Sequence, residues 1–256
     1  MPATDLQLLI DAAHEAAKIA LKFWQTDQRV DQKHGGSPVS EGDFAVDTYL
    51  RETLTAARPT YGWLSEETED TPARLSRETT FIVDPIDGTR AYVAGQKTWA
   101  HSLAVVHRGQ PTAAVVYLPA RDKLYTAARG QGAYNNGARI ATGQRDDPDG
   151  ATILAPKPSL DPQWWAQTPP KFDRHFRSSL AYRFCLVAEG RFDAMLTLRD
   201  AWEWDIAAGA LIATEAGATV TDRTGAALTL NSAGAKSKGI LTANPSLHGA
   251  IRQRLP

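Results

Sequence analysis

Residues 81–90 read FIVDPIDGTR, and this stretch places two acids, a proline, a glycine and a threonine behind an apolar run. The apolar residues 81–83 predict a short buried strand. Pro85 is expected to end the ladder of that strand, because proline has no N–H to donate. Residues 88–89 are expected to open a helix, whose first N–H groups lack partners within the helix. The stretch therefore predicts a strand that leads into the N-terminus of a helix.

Two acids, Asp84 and Asp87, are expected to face the N-terminus of this helix. Two carboxylates held so close are difficult to ionise together, which favours a bound divalent cation. An all-oxygen ligand set indicates Mg²⁺, Mn²⁺ or Ca²⁺ rather than Zn²⁺. Free N–H groups at residues 88–90 and the helix dipole would attract a phosphate beside the cation. An ordinary turn with a helix cap is the alternative for this stretch taken alone.

The composition of the 256-residue chain restricts the class of protein. A hydrophobic content of 43% is typical of a globular protein with a sizeable core. The net charge of −1, from 28 basic and 29 acidic residues, gives no electrostatic reason to expect nucleic acid or an anionic membrane as a partner. No apolar run approaches the roughly 18 residues of a membrane span, so a cytoplasmic protein with small-molecule ligands is expected. The single cysteine, Cys185, is interpreted as a core residue.

The chain is predicted to have two domains. Residues 1–147 combine amphipathic helices with strand-like runs that form an antiparallel meander, which predicts an α+β domain holding most candidate ligands. Residues 148–256 alternate strand and helix patterns, which predicts an α/β domain. Residues 33–38 are interpreted as a flexible loop, and residues 68–79 as a solvated excursion with no chemistry of their own.

Further acids lie at predicted strand ends and helix starts. Glu66 and Glu67 follow a short strand, and because neighbouring strand residues point to opposite faces, only one of them can easily join the acidic cluster. Glu66 is the expected member, for the reason that the resemblance below supplies. Asp43 lies in the first turn of a helix and Asp205 begins a helix rich in small residues. A dipole interaction for Asp43 and a simple cap for Asp205 are the structural alternatives. Together with the acids of the central stretch, these residues predict a metal site.

Three motifs occur in the order found in a known family. LSEE at residues 64–67 resembles a Gly-Glu-Glu element, DPIDGT at residues 84–89 resembles an Asp-Pro-Ile-Asp-Gly-Thr signature, and WDIAAG at residues 204–209 resembles a Trp-Asp element. With these motifs the chain resembles the inositol monophosphatase family of Mg²⁺-dependent, lithium-sensitive phosphatases over nearly its whole length. Ser65 departs from the glycine of many members. The resemblance implies an α+β fold, a layered α/β/α/β/α sandwich.

The resemblance also implies metal ligands. Glu66, Asp84 and the backbone carbonyl of Ile86 would hold one metal, and Asp84 would bridge to a second. Asp87 and Asp205 would complete the second site. The implied cofactor is Mg²⁺, as two or three ions, with Mn²⁺ as an alternative and with Ca²⁺ and Li⁺ as inhibitors.

The remaining roles implied by the resemblance concern water and phosphate. Thr89 and Asp43 match the pair that orients and deprotonates the attacking water, and Glu66 is expected to assist catalysis. Asp87, Gly88 and Thr89 match the phosphate-binding residues. Glu67 is expected to lie behind the metal ligands.

The motifs give conflicting indications of the substrate. Ile86 resembles the inositol-phosphate branch, whereas residues 63–67 and 179–190 resemble the 3′(2′),5′-bisphosphate nucleotidases. Where inositol phosphatases often place an acid seven residues before the Trp-Asp aspartate, this chain has Leu198, with Asp200 as the nearest acid. Arg90 and Arg199 are candidates to meet a second phosphate.

We expect a phosphatase for small polyol phosphates such as inositol monophosphate. The alternatives are a bisphosphate nucleotidase, then a histidinol phosphatase, and, in another class, a regulatory binding protein that retains the fold. A structural Ca²⁺ site is a further alternative. The expected partner is a small-molecule phosphate ester, not nucleic acid or a membrane, and a homodimer is compatible with this expectation.

Overall fold

The computed structural model describes residues 2–33 and 36–256. Within them the helices are α1 Pro2–Phe23, α2 Glu41–Ala57, α3 Thr89–Val93, α4 Leu180–Ala188, α5 Glu203–Glu215 and α6 Pro245–Arg252. The strands are β1 Val30–Gln32, β2 Pro38–Ser40, β3 Gly62–Ser65, β4 Thr79–Asp87, β5 Ala100–His107, β6 Gln110–Leu118, β7 Lys123–Ala128, β8 Ala133–Asn135, β9 Ala138–Ile140, β10 Thr152–Leu154, β11 Asp173–His175, β12 Ala194–Thr197, β13 Ala201–Trp202, β14 Thr219–Thr221, β15 Lys236–Ser237 and β16 Ile240–Ala243.

A seven-stranded sheet, ordered β3-β4-β5-β6-β7-β8-β9, holds the central stretch. β3 runs parallel to β4, and the other neighbours are antiparallel, as the predicted meander requires. Side chains alternate along β4, so Phe81 and Val83 pack with α1 and α2, while Ile82 packs on the opposite face with α4 and α5. Asp84 has the same parity as Ile82 and therefore faces α5.

A five-stranded sheet, ordered β11-β10-β12-β16-β14, lies beyond α4 and α5. Its outer face packs against α6 through Leu247 and Ile251. The layers are thus helices, sheet, helices, sheet and helix, which confirms the predicted α/β/α/β/α sandwich. The core between the two sheets contains residues from both predicted domains, for example Tyr125 and Met195. The domain division at residue 147 remains a prediction.

The expectation that Pro85 ends the strand is wrong. β4 continues to Asp87, and its pairing with β5 shifts register between Asp84 and Asp87. The carbonyl of Pro85 is hydrogen-bonded to Nδ1 of His101 on β5. Proline removes one donor, but a bulge lets the strand continue around the missing bond.

The interpretation of residues 68–79 as a purely solvated excursion is also wrong. Arg74 within it is only 2% exposed. Its guanidinium donates to both carboxylate oxygens of Asp70, to Oδ1 of Asn231 and to the carbonyl of Ser232. Arg74 therefore connects residues 68–79 to residues 231–232, which precede β15.

The predicted loop at residues 33–38 is described in part, because His34 and Gly35 lie outside the described residues. Its last residue, Pro38, begins β2, which pairs antiparallel with β1. Over residues 2–33 and 36–256, no helix combines the length and the apolar character that a membrane crossing needs.

Candidate active site

Glu66, Asp84 and Asp205 converge from three different elements. Glu66 follows β3, and because its N–H donates to the carbonyl of Val83 at 3.3 Å, it is held beside β4. Asp84 lies on β4, and Asp205 lies in the first turn of α5. One carboxylate oxygen from each of the three lies within 4.8 Å of the others. The structure therefore brings together three of the acids that the sequence selected.

Asp84 is the most buried of the three acids, with 1% exposure. Burial, followed by the charges of Glu66 and Asp87, raises the pKa of Asp84 well above its usual range. Its Oδ1 accepts the N–H of Ile86 at 3.0 Å. Among the described residues, none donates a hydrogen bond to its buried Oδ2. A buried carboxylate oxygen without a donor, next to two further carboxylates, fits an oxygen-preferring divalent cation.

Asp205 has a related environment although it is only partly buried. Desolvation, then the charges of Asp87 and Glu66, raises the pKa of Asp205 well above its usual range. The hydroxyl of Ser102 on β5 donates to the carbonyl of Trp204 at 3.0 Å, which fixes the start of α5 against the sheet. The mutual repulsion among these acids is a second reason to expect a cation between them.

Lys33 is a charged neighbour that sequence reasoning missed. Its Nζ lies 2.7 Å from a carboxylate oxygen of Glu66 and 2.7 Å from one of Glu67. The side chain of Glu67 is nearly buried, and burial raises the pKa of Glu67 to about 7. No spacing rule links residue 33 with residues 66 and 67, so the signal was absent from the sequence.

Thr89 and Asp43 lie within hydrogen-bonding distance of each other, and their joint role toward the attacking water remains a prediction. The hydroxyl of Thr89 lies 3.0 Å from Oδ1 of Asp43 and 3.2 Å from the carbonyl of Ile86, and can donate to either. The other oxygen of Asp43 accepts the N–H and the hydroxyl of Ser40, at 2.9 and 2.6 Å. Ser40 caps α2 in a capping box with Asp43. Burial raises the pKa of Asp43, and the hydrogen bonds from Ser40 and Thr89 oppose that rise.

Asp87 is held by the start of α4. Its Oδ2 accepts the hydroxyl of Ser179 and the N–H of Ala181, both at 2.6 Å. Burial raises the pKa of Asp87 to about 6, and the bonds from Ser179 and Ala181 oppose the rise. Asp87 lines the same cavity but is not one of the three acids whose oxygens meet. Its predicted metal role remains a prediction, and Ser179 was missed as its partner.

Gly88 turns the chain from β4 into α3. Its φ of 99° lies in the left-handed region, and a Cβ added there would approach the carbonyl oxygen of Thr98 to 3.1 Å. Both facts favour glycine at this position. The turn places Thr89 directly after the acids of β4.

A cavity of about 400 Å³ contains these groups. The residues that line it are Ser37, Pro38, Glu66, Asp84, Asp87, Gly88, Thr89, Arg90, Phe176, Ser178 and Asp205. Phe176 and Ser178 were not singled out from the sequence.

The residues that the sequence analysis considered as substrate contacts lie in different parts of the structure. Arg90 lines the cavity, whereas Arg199 is not among its described lining residues. Leu198 is fully buried in the core under α6. Asp200 pairs with Arg223 at 2.8 Å and does not line the cavity.

Comparison with known proteins agrees with this geometry. The model of the inositol monophosphatase family matches residues 2–255. Inositol-1-monophosphatase of Rhizobium meliloti (strain 1021) is 33% identical, over 97% of this chain and 94% of the relative. The Nus factor SuhB of Escherichia coli (strain K12) is 32% identical, over 86% of this chain and 85% of the relative. Histidinol-phosphatase of Mycobacterium tuberculosis (strain ATCC 25618 / H37Rv) is 31% identical, over 98% of this chain and 97% of the relative.

The fold also matches solved structures. The crystal structure of the extragenic suppressor protein SuhB from Bartonella henselae superposes with a TM-score of 0.84 at 26% identity, covering 98% of this chain and 97% of that one. The chain belongs to the inositol monophosphatase family, and this membership supports a phosphoric monoester hydrolase.

Proposed function

We propose that this protein is a Mg²⁺-dependent phosphatase for small polyol phosphates such as inositol monophosphate. The observation that supports it most strongly is the meeting of Glu66, Asp84 and Asp205 in one cavity with Thr89. The cavity is of a size that suits a small ester.

The donor set fits Mg²⁺. Glu66, Asp84 and Asp205 offer carboxylate oxygens, and the open Oδ2 of Asp84 fits the proposed bridging role. The carbonyl of Ile86 and the carboxylate of Asp87 are the further proposed ligands for two or three ions. When bound, Mg²⁺ would neutralise phosphoryl oxygens, lower the pKa of a water and stabilise the leaving alkoxide.

The residues of the chain would orient the attacking water. With its hydroxyl donated to Asp43, one of the two acceptors within reach, Thr89 keeps an oxygen lone pair that can accept a proton. A water that donates to Thr89 would pass its proton to Thr89 while Thr89 passes its own to Asp43. The raised pKa of buried Asp43 favours this acceptance. Attack in line with the leaving oxygen would then release the alcohol and inorganic phosphate.

The phosphoryl group would lie against residues 87–89. Gly88 lines the cavity without a side chain, so the backbone at the start of α3 can be approached closely. Asp87 is fixed by Ser179 and Ala181 and would help to set the position of the group.

Histidinol phosphate is the second candidate substrate. The relative named histidinol-phosphatase has nearly the same identity to this chain as the relative named inositol-1-monophosphatase. Residue 198, where the family resemblance would place an acid that contacts inositol hydroxyls, is a buried leucine, so this chain lacks that contact. A regulatory role without hydrolysis remains the alternative of another class, and relatives named Nus factor SuhB are the reason to test it.

The test is phosphate release from inositol 1-phosphate, histidinol phosphate and adenosine 3′,5′-bisphosphate. Assays would contain Mg²⁺, EDTA, or Mg²⁺ with added lithium, and Asp84→Asn would serve as the control for contaminating phosphatase. We expect release that requires Mg²⁺, is inhibited by lithium and shows the largest kcat/KM for inositol 1-phosphate. Mg²⁺ binding without release from any ester would contradict the proposal and favour the regulatory alternative.

A further inference from the structure

Phe176 is an exposed aromatic residue on the wall of the candidate active site. It lines the cavity that contains the three acids, yet 47% of it is exposed. It follows β11 and precedes the start of α4 by a few residues. A large apolar side chain on a cavity wall is a typical feature of ligand sites, where polar groups orient the ligand and apolar faces cover it.

A buried arginine fixes the ring of Phe176. The guanidinium carbon of Arg183 lies 4.3 Å from the centroid of that ring, and Arg183 is only 7% exposed. Nε of Arg183 donates to the carbonyl of Arg177 at 2.6 Å, and Nη2 donates to the carbonyl of Ser178 at 3.3 Å. A planar guanidinium can stack and donate in its plane at the same time, which lysine cannot do. The ring is therefore held on one side while part of it stays open to the cavity.

The same helix start positions Asp87. Ser179 caps α4 by accepting the N–H of Tyr182, and its hydroxyl donates to Asp87 at 2.6 Å. The N–H of Ala181 donates to the same carboxylate oxygen. Because Phe176 and the anchor of Asp87 belong to one short, bonded segment, the distance from the phosphoryl site to the ring is set before substrate binds. A surface fixed in advance loses little conformational freedom on binding.

We infer that Phe176 is a specificity-determining platform that packs against a ring in the alcohol half of the substrate, with Arg183 as its positioning residue. The inference rests on the proposed phosphatase function and names its substrate class: phosphate esters of ring-bearing alcohols. The shared chemistry is the face of a ring, either the C–H face of a cyclic polyol or the π-face of an aromatic ring. An alcohol without a ring offers no such face.

The experiment compares kcat/KM for three esters under one Mg²⁺ concentration. Inositol 1-phosphate supplies an aliphatic ring, adenosine 3′,5′-bisphosphate supplies an aromatic base, and glycerol 2-phosphate has no ring. The variants are Phe176→Ala, Phe176→Tyr, which keeps an aromatic face, and Phe44→Ala. Phe44 is a matched control, because it is also 47% exposed but does not line the cavity.

We expect Phe176→Ala to lower the ratio of ring ester to glycerol 2-phosphate by about tenfold, chiefly through KM, as the loss of one stacking contact predicts. Phe176→Tyr should keep the ratio, and Phe44→Ala should keep it as well. A fall confined to inositol 1-phosphate supports the platform with a polyol ring, and a fall confined to the bisphosphate supports it with a base.

An unchanged ratio for both ring esters in Phe176→Ala would overturn the inference while leaving the phosphatase proposal intact. Hydrolysis of none of the three esters by the wild-type protein would overturn the proposed function and the inference together. Arg183→Lys tests the positioning role: we expect KM for the ring ester to rise more than kcat falls. Equal falls in kcat for all three esters would overturn that role.

Discussion

Two acids on one turn of α5, Glu203 and Asp205, have opposite surroundings. Both oxygens of Glu203 are satisfied, by the N–H of Asn231 at 2.6 Å, the N–H of Ser232 at 3.0 Å and the hydroxyl of Ser232 at 2.5 Å. Asp205 instead faces Glu66 and Asp84. The comparison separates an acid whose oxygens are paired within the fold from an acid that we propose as a metal ligand.

The contrast extends to the neighbours of each acid. Asn231 and Ser232 are themselves bound by Arg74, so Glu203 belongs to a connected network of donors and acceptors. In the cavity, Oδ2 of Asp84 receives no hydrogen bond from residues 2–33 and 36–256. Buried polar groups in proteins are nearly always paired, and an unpaired charged oxygen beside two further carboxylates is explained most simply by a bound cation. The first turn of α5 thus contributes Glu203 to a hydrogen-bond network and Asp205 to the proposed metal site.

The largest expected effect is on Asp84. Asp84→Asn keeps an oxygen that can accept the N–H of Ile86 but removes the charge that the proposed metals share. We expect a loss of Mg²⁺-dependent phosphate release of at least about a thousandfold, since the metals supply most of the charge stabilisation. Activity within about tenfold of the wild-type value would show that Asp84 is not at the centre of the site.

Thr89 is expected to have the next largest effect. Thr89→Ala removes the hydroxyl that bonds to Asp43, and we expect kcat to fall about a hundredfold. Thr89→Ser keeps the hydroxyl and should retain most of kcat. The measurement is kcat with saturating Mg²⁺, and equal values for the Ala and Ser variants would exclude the proposed proton transfer.

The free energy of unfolding should change in opposite directions when Glu203 and Asp205 are replaced by their amides. Glu203→Gln replaces one side-chain oxygen with an NH₂ group, which cannot accept the hydrogen bond that Asn231 or Ser232 donates to that oxygen. We therefore expect a loss of about 2 kcal/mol in the free energy of unfolding. Asp205→Asn removes repulsion, so without metal we expect a gain of up to about 1 kcal/mol. Urea unfolding in EDTA measures both values, and two changes of the same sign would contradict the distinction.

His101 gives the smallest effect and a pH dependence. It is fully buried, its Nδ1 bonds to the carbonyl of Pro85, and burial lowers its pKa to about 4. An unfolded histidine has a pKa of about 6.5, so between these values the unfolded state binds more protons at this residue, and the contribution of His101 to stability falls as the pH falls. From pH 7 to pH 5.5 this contribution is expected to fall by about 1 kcal/mol, while the raised pKa values of Asp87 and Glu67 change stability in the opposite direction.

His101→Phe is the control for this pH dependence. The difference in unfolding free energy between this variant and the wild-type protein isolates the contribution of His101. That difference should shift in favour of the variant as the pH falls. A pH-independent difference would mean that His101 does not titrate as its burial requires.

The layered fold was predicted from the resemblance to the family, which three motifs carry, whereas the positions of the three meeting acids follow from local signals. An apolar run, a strand end or a helix start fixes where an acid such as Asp84 or Asp205 lies, and the three motifs provided the order. The buried Arg74, the contact of Lys33 with Glu66, and the ring of Phe176 were not predicted. Each depends on a partner from a different part of the fold, and a polar residue in a polar segment gives no indication of such a partner.

The most direct measurement is a calorimetric titration of Mg²⁺ into three proteins: wild type, Asp84→Asn and Glu203→Gln. If unsatisfied acids bind the cation and satisfied ones hold the fold, the wild-type protein and Glu203→Gln will bind Mg²⁺ with the same stoichiometry, and Asp84→Asn will lose at least one ion. Equal Mg²⁺ binding by Asp84→Asn and the wild-type protein, or no binding by the wild-type protein, would contradict the account.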